Sequence, residues 1–593
     1  MWTMLSAHYS KVPWALYTVW ILFLWYESRT HEAAQARATK AEQLSLLIHF
    51  LPPLVKVFFS SWAKNSGDSA LVWLIAIMVF RYYKTVISVY FWNRYKLATV
   101  SSCKTSNVKG HFYTSLDCTA IIPTVGPTGN SRFYDMLVSI AVNGPARIII
   151  STNNSESQNQ VLNCLPEFKQ KFREEYPAGF DYQQPDKSQK GVFKLPPIDV
   201  INADVSDKRR QFLKAAKLAT TELIAMADDS AVWNRKLLEA TLPAFYDKQV
   251  AFVGTRKWVI LNKFENRIAV PPRENGIWEL CRVLAKNAIA EYWHGLWNTI
   301  GALYLVRHNF EIRSSDAADG GVFCISGRTS LIRSAIVQDE EFGKEFLNEH
   351  VVGPRHWPSR PTWDTLRDWF SRRSWRIWFT WLKGLSWLTG LSWHALRTWR
   401  PWKFTPISAD DDNFILRWVL KKGMKVKVQY SEDATITTAL GFNPRKFWDQ
   451  CKRWSRTTAR QNPKALFLDR VIWWRWPLTV WLTYFPWMWN FALIWDPLML
   501  FMLTRTNMYQ TSAHSRLMMT ALVALIWSSK LVKTIPWFWE NPKLFFLYFF
   551  PIPAVPMFSY AHSVLKFMTF FTYWDATWSG RTLEAPASDL KQE

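Results

Sequence analysis

The sequence predicts a cytosolic α/β domain inserted between N- and C-terminal α-helical transmembrane segments. Apolar, aromatic-rich stretches gather at the two ends, while residues 95–470 have the mixed composition of a water-facing domain. Within that middle, short β-branched runs alternate with helix-compatible stretches, the rhythm of a mostly parallel sheet. Basic residues crowd where the apolar ends meet the middle, which orients the middle toward the cytosol.

Composition supports the same division. The 593 residues include 37 Trp, 39 Phe and 20 Tyr, an aromatic load that calls for a membrane or a ligand surface. The net charge of +25 suits nucleic acid, anionic lipid head groups or a phosphate-bearing substrate. A hydrophobic share of 49% excludes intrinsic disorder. The six Cys residues lack CxxC spacing and lie between the apolar ends, so they read as reduced cytosolic thiols and not as a disulfide framework.

At the N-terminus, Val12–Tyr26 is apolar and no small-residue cleavage site follows it, so it reads as a spanning helix. Of the next two segments, Leu44–Trp62 carries Pro52, Pro53 and Lys56, and Ala70–Trp92 carries Arg81 and Lys84; one of them is expected to lie flat at the interface. Val471–Thr504, Leu517–Leu531 and Leu544–Phe571 are apolar and punctuated by Pro, which membrane helices tolerate when packed against neighbours. The expectation is about six spans. Arg94 and Lys96 follow the third segment and Arg456 and Arg460 precede the fourth, so the positive-inside rule makes the middle cytosolic.

In the middle, Thr119–Ile122, Arg147–Ser151, Ile198–Ile201, Glu222–Ala227 and Val250–Val253 read as strands. Ligands of such sheets sit at the carboxyl ends of the strands. In His356–Phe404, Trp recurs every six residues from Trp357 to Trp399. A step of six turns an α-helix by about 600°, so these side chains would point in three directions and form no single stripe. Two readings are open for this segment: basic helices at the membrane interface meeting lipid phosphates, or a sugar-stacking surface.

Three groups of residues carry chemistry. Asp228-Asp229-Ser230 follows the fourth strand, where paired carboxylates suit a hard divalent cation on a diphosphate or simply cap a turn. Asp410-Asp411-Asp412 precedes the helical pattern Asn413–Lys422, placing carboxylates at a helix N-terminus. Gln450, Arg453 and Trp454 occupy adjoining turns, offering an amide, a guanidinium and an indole face to a sugar phosphate.

The order of Ile122-Pro123-Thr124, Lys208-Arg209-Arg210, Asp228-Asp229-Ser230, Ile325-Ser326-Gly327-Arg328, Asp410–Asp412 and Gln450-x-x-Arg453-Trp454, framed by apolar segments, resembles the family 2 membrane glycosyltransferases. The resemblance is to the hyaluronan, cellulose and chitin synthase group, closest to fungal capsular-polysaccharide-synthase-like type 2 glycosyltransferases. It spans about residues 116–460 and implies a GT-A-type glycosyltransferase domain.

The resemblance implies roles residue by residue. Thr124, Lys208, Arg209, Asp228 and Arg453 would contact the uridine diphosphate. Asp228 and Asp229 would hold Mg2+ or Mn2+, although Ser230 stands where the family's second Asp usually does. Asn153-Asn154 replaces the Asp expected after the second strand, and Asn154 would contact uracil or ribose. Asp412 falls on the general base, with Glu432-Asp433 as a competing reading. Ser326, Gly327, Gln450 and Trp454 would hold the acceptor. Thr577–Arg581 is similar to the gating loop of hyaluronan synthases, which would bring Trp578 and Arg581 over the nucleotide; a plain polar tail is the other reading.

These expectations divide the chain into N-terminal transmembrane or interface helices (1–94), a nucleotide-sugar and acceptor-binding core (95–354), a Trp/Arg-rich interfacial segment (355–404), the base and Gln-x-x-Arg-Trp region (405–470), C-terminal transmembrane helices (471–572), and a gating loop and tail (573–593). The implied activity is processive, inverting polymerisation of sugar from a UDP-sugar donor onto a growing polysaccharide, with translocation across the plasma membrane. Partners would be the donor, the polysaccharide acceptor and membrane lipids, with no nucleic acid. The alternatives are a non-processive transferase acting on a lipid or protein, and a degenerate nucleotide-binding relative.

Overall fold

Alternation of side-chain direction along each β-branched run assigns its apolar residues to two faces, and two cores result. The computed structural model describes residues 68–100, 112–176, 195–261, 264, 267–269, 277–354, 402–408, 410–440, 443–549 and 554–576. Val12–Tyr26, Leu44–Trp62, the Trp repeat up to residue 401, Trp578 and Arg581 lie outside them.

In chain order the elements that place the site are helix α1 (Ser69–Trp92), strand β1 (Cys118–Thr124), α2 (Phe133–Val142), β2 (Arg147–Thr152), α3 (Ser155–Glu175), β3 (Ile198–Asn202), α4 (Lys208–Ala216), β4 (Leu223–Ala227), β5 (Val232–Trp233), β6 (Val250–Val259) and α5 (Ile277–Asp319). They continue with β7 (Thr329–Arg333), β8 (His350–Pro354), β9 (Trp402–Pro406), α6 (Asp411–Lys421), β10 (Lys425–Gln429), β11 (Thr435–Thr438), α7 (Pro444–Pro463), α8 (Ala492–Thr504), α9 (Ser515–Leu531) and α10 (Ala554–Phe570). The sheet runs β3-β2-β1-β4-β7-β6-β11-β5, with β10 also paired to β6.

One face of the sheet presents Ile121, Ile149, Ile224 and Met226 to Phe212 and Leu213 of α4 and to Phe414 and Ile415 of α6. The other presents Ala120, Ile122, Ile148 and Ile150 to Met136, Leu137 and Ile140 of α2 and to Val161, Leu165 and Phe168 of α3. The sheet is mostly parallel, as expected, with antiparallel pairings among its strands. β1, β2, β3 and β4 are parallel, but β7 pairs antiparallel with both β4 and β6. That reversal has a consequence for chemistry, because it brings the start of β7 beside the end of β4, with Thr329 opposite Ala227.

Beside the sheet lies a helical part. α5 has 43 residues and is about 65 Å long at the helical rise. Its Leu296, Ile300 and Leu303 share a core with Trp537, Phe538 and Leu565. α1 packs Leu74 and Ile77 against Met499 and Leu503 of α8 and Leu522 and Ile526 of α9. Among the described residues, α1 is the one helix long and apolar enough to cross a membrane, with a mean hydropathy of 1.6.

Val471–Thr504 does not form one helix. It breaks into Ile472–Arg475, Pro477–Thr479, a π-helical turn Val480–Tyr484, Phe485–Trp489 and α8. Pro477 and Pro486 lack the N–H that a continuous ladder needs, and Asn490 leaves helical geometry at φ −85°, ψ 82°. The residues that flank the Trp-repeat segment in sequence form an antiparallel ribbon, β8 with β9, in which His350 pairs with Pro406.

Candidate active site

β1 and β4 are neighbours in the sheet, so the residues at their carboxyl ends meet. The Thr124 hydroxyl donates to Asp229 Oδ2 at 2.8 Å, and Asn130 Nδ2 donates to the Asp229 carbonyl at 2.6 Å. The Asp228 amide donates to the Arg328 carbonyl at 2.7 Å, a contact made possible by the antiparallel β7. The Ile325–Arg328 turn thereby lies against the acidic pair. Its Gly327 amide donates to Asp412 Oδ2 at 2.9 Å, and its carbonyl accepts from Lys208 Nζ at 2.9 Å. Lys208 also pairs with Asp411 at 3.1 Å.

Glycine at 327 lets the turn approach the carboxylates closely. A Cβ there would lie 3.2 Å from Asp411 Oδ1 and 3.4 Å from Asp412 Oδ2, so any side chain would press on both carboxylates. The backbone of this turn and the N-terminus of α6 are fitted to one another.

A cavity of about 1040 Å³ joins these groups. Thr124, Lys208, Asp228, Asp229, Ser326, Gly327 and Asp412 line it, together with Gln450, Arg453 and Trp454. The last three fall at i, i+3 and i+4 of α7 and therefore share one helix face. Trp454 stacks on Tyr304 of α5, ring centres 5.2 Å apart and planes 25° apart. One indole face is thus already occupied, and the Arg328 guanidinium stands 5.8 Å from the ring.

Asp412 is the carboxylate with the strongest reason to hold a proton. Burial raises its pKa, the charges of Asp411 and Asp410 add to this, and it reaches about 6 despite Lys208. Its Oδ1 accepts from the amide and the side-chain nitrogen of Asn413, at 2.8 and 2.9 Å. For Lys208, burial works against the charge, but Asp411, Asp228 and Asp412 outweigh it and hold the ammonium above its ordinary value.

Asp410 plays a different part. It sits at the N-cap of α6 in the left-handed region, φ 62°, an uncommon conformation outside glycine. Its carboxylate accepts from Arg460 Nε at 2.8 Å and Nη2 at 3.0 Å and from the Thr457 hydroxyl at 2.6 Å. Arg460 is 1% exposed, and its Nη1 donates to the Tyr573 and Asp575 carbonyls at 2.8 and 3.0 Å. The pair fixes the start of α6 to α7 and to the segment that follows α10.

Two expected site residues are not brought to the cavity. Arg209 is 1% exposed and points the other way: its Nη2 pairs with Glu349 at 2.7 Å, its Nη1 donates to the Phe346 carbonyl at 2.6 Å, and its guanidinium lies over the Phe346 ring. One residue along a helix rotates the side chain by about 100°, which separates Arg209 from Lys208. Asn154 is the N-cap of α3, its Oδ1 accepting from the Ser157 amide at 2.8 Å. The competing acidic pair Glu432-Asp433 is exposed in the turn between β10 and β11 and lines no part of the cavity. Residues that sequence reasoning passed over are Arg328, visible as the last residue of the Ile-Ser-Gly-Arg turn, and Arg460, which carried no signal because its partner is 50 residues away.

The donor set bears on a metal. Among the described residues no group of three His, Cys, Asp or Glu side chains could hold an ion by itself. Asp228 and Asp229 fit the other kind of site, in which a small hard cation takes one or two carboxylates and completes its shell with substrate phosphates.

Comparison with known proteins places this geometry. Residues 194–457 match the family model described as Glycosyltransferase like family 2. A Type 2 glycosyltransferase of Gibberella zeae is 25% identical over 476 residues, covering 79% of this chain and 69% of the relative. One from Pyricularia oryzae is 27% identical over 479 residues, covering 79% and 75%. Among solved structures, the mannosyltransferase PcManGT from Pyrobaculum calidifontis in complex with GDP-Man and Mn2+ aligns over 84% of this chain and 97% of its own, at 12% identity and a TM-score of 0.38. Over residues 194–457 the chain is thus similar to glycosyltransferase family 2 domains, and these residues contribute to a mixed α/β sheet.

Proposed function

We propose that this GT-A-type domain transfers a sugar from a UDP-sugar to an acceptor hydroxyl with inversion, and that it does so repeatedly on a growing polysaccharide at the plasma membrane, as in the hyaluronan, cellulose and chitin synthase group. The observation that carries the reading is the cavity. It holds the paired carboxylates, the raised-pKa Asp412 and the Gln450–Trp454 face together, then continues between α5, the broken 480–490 segment and α10. A path from the reacting centre into a helical bundle is what an elongating chain needs.

In this reading Lys208 and Arg453 receive the diphosphate, and Asp412 takes the proton of the attacking hydroxyl. The acceptor oxygen forms a bond to the anomeric carbon as the bond from that carbon to the β-phosphate oxygen breaks, and UDP leaves with the electron pair. Asp228 and Asp229 would hold Mg2+ or Mn2+ with the diphosphate oxygens, and the ion would offset the charge that develops there. Trp454, with one face on Tyr304, would offer the acceptor ring its remaining face or edge.

A base must be ionised to work. With Asp412 raised to about 6, transfer is expected to rise with pH through that region and level off above it, with UDP binding flat over the same range. A flat rate between pH 5 and 7 would remove Asp412 from the role.

The acidic pair has its own test. Asp228→Asn should raise the metal concentration needed for half-maximal UDP binding, whereas Ser230→Asp should lower it, since affinity for a hard cation grows with carboxylate charge. Identical calorimetric titrations with and without Mn2+ in wild type and both variants would leave the pair as a turn cap.

The reaction class is tested on the product. Nuclear magnetic resonance of the product should show the anomeric configuration opposite to that of the donor, and mass spectrometry should show chains longer than one added sugar. A single addition would favour the non-processive transferase; retention would overturn the displacement.

A further inference from the structure

The cavity's inner end, away from the sheet, is lined by side chains unlike those expected for a neutral sugar chain. Lys84 of α1, Arg307 of α5 and Lys566 of α10 face it, close enough to act on one another. Glu311 is the one carboxylate among the cavity-lining residues of these helices, and it is ion-paired with Lys533, which lies outside the cavity. Glu311 also acts on Lys84, Arg307 and Lys566, so one carboxylate, already ion-paired with Lys533, faces three further cations.

The bonding of these cations is incomplete. Arg307 Nε is buried without a hydrogen-bond acceptor, and the guanidinium lies 5.3 Å from the Tyr304 ring centre. Lys566 is 5% exposed; its ammonium has the Asn490 carbonyl at 3.3 Å and the ring faces of Phe491 and Trp487 at 4.4 and 5.4 Å. Lys84 makes no hydrogen bond or close ion pair among the described residues, and Glu311 acts on it only through space. Gathering cations in excess of their counter-charge around a partly buried space is costly, so a fold that places three of them beside one shared carboxylate is arranged for an anion to enter it.

The route from the reacting centre is also marked. Trp454 stacks on Tyr304, the His562 ring lies 5.9 Å from Tyr304, and Lys566 stands one helical turn beyond His562. An acceptor whose end lies at Trp454 passes these rings before reaching the cations.

We propose that the inner end of the cavity, between Lys84, Arg307 and Lys566, binds an anionic group carried by the acceptor chain, a sugar carboxylate or a sugar phosphate. The inference rests on the acceptor path proposed above and adds the acceptor's charge to it.

The test uses the full chain in lipid nanodiscs with the nucleotide site saturated by UDP and Mn2+, so that the outer site cannot take the probe. Glucuronate, glucose 6-phosphate and glucose are titrated separately. The expected result is saturable binding of glucuronate or of glucose 6-phosphate, with glucose at least about tenfold weaker, since charge-assisted contacts are lost. Glucuronate alone would identify a carboxylate and glucose 6-phosphate alone a phosphate. Lys566→Gln should weaken the anion by a similar factor and Lys566→Arg should retain it, with UDP affinity unchanged in both as evidence of folding. Equal binding of all three probes, or anion binding indifferent to Lys566→Gln, would overturn the proposal. Anion binding in a protein that fails to bind UDP would sink the nucleotide reading and leave this site standing.

Discussion

Asp412→Asn should lower sugar transfer by about a hundred- to ten-thousand-fold, the usual contribution of a positioned general base, while UDP affinity stays within about twofold. The separation follows from geometry. Asp412 Oδ2 accepts from the Gly327 amide and Oδ1 from Asn413, so the side chain is fixed by the turn and helix start, while the phosphate contacts are assigned to other side chains, Lys208 and Arg453. The amide variant keeps the shape and one of the two acceptor oxygens but cannot take up a proton. If Asp412→Asn retained turnover and Glu432→Gln or Asp433→Asn lost it, the base would have to be sought in the exposed β10–β11 turn.

Arg460→Ala should destabilise the fold by about 3–5 kcal/mol, the cost of breaking a buried ion pair from one side. Arg460 and Asp410 side chains are each 1% exposed, so solvent does not screen the loss. The charge of Asp410 is opposed by burial, but Arg460 and Thr457 outweigh it and hold its pKa below the ordinary value. The sign of the pH dependence follows. A depressed carboxylate stabilises the fold above its unfolded pKa of about 4 and loses that contribution as pH falls below it, so the deficit of Arg460→Ala should be largest at neutral pH and shrink in acid. Thermal unfolding of wild type and variant at pH 7 and pH 4 measures this. The exposed pair Lys171–Glu167 gives the contrast, because Lys171→Ala should leave the unfolding temperature unchanged. A stability loss from Arg460→Ala no larger than that from Lys171→Ala would show that the Asp410 anchor does not hold α6.

Legibility of the site in the sequence depended on how far apart the partners lie. The carboxylates after β4 and the Gln450, Arg453 and Trp454 face of α7 could be read because each is set by local spacing: a strand end, and the i, i+3, i+4 rule. Asp412 was legible as part of a helix start. Arg209 was misplaced because a run of three basic residues gives no helical phase, and its actual partner Glu349 is 140 residues away. Asn154 beside a helical pattern is a cap by local rules, and the cap is what the structure has. The antiparallel β7 was hidden because a five-residue strand reads the same in either direction. α5 escaped notice because charges such as Glu279, Arg282, Lys286 and Glu291 interrupt its apolar positions, so it resembles neither a membrane span nor a simple amphipathic helix.

The pairing of Asp410 with Arg460 also explains why the C-terminal segment matters to the site. Arg460 spends its remaining donors on the Tyr573 and Asp575 carbonyls, and Arg456 pairs with Asp575 at 2.7 Å. The chain that leaves α10 is thereby fastened to the same helix that carries Gln450, Arg453 and Trp454.

The most direct test of the central claim is release of UDP by the purified full chain in lipid nanodiscs, measured with a panel of UDP-sugars in the presence of Mg2+ or Mn2+. The account predicts that at least one donor releases UDP, that chelating the metal stops it, and that Asp412→Asn binds UDP but releases none from the donor. Release with no donor by a protein that still binds UDP would contradict it and leave a nucleotide-binding relative without turnover.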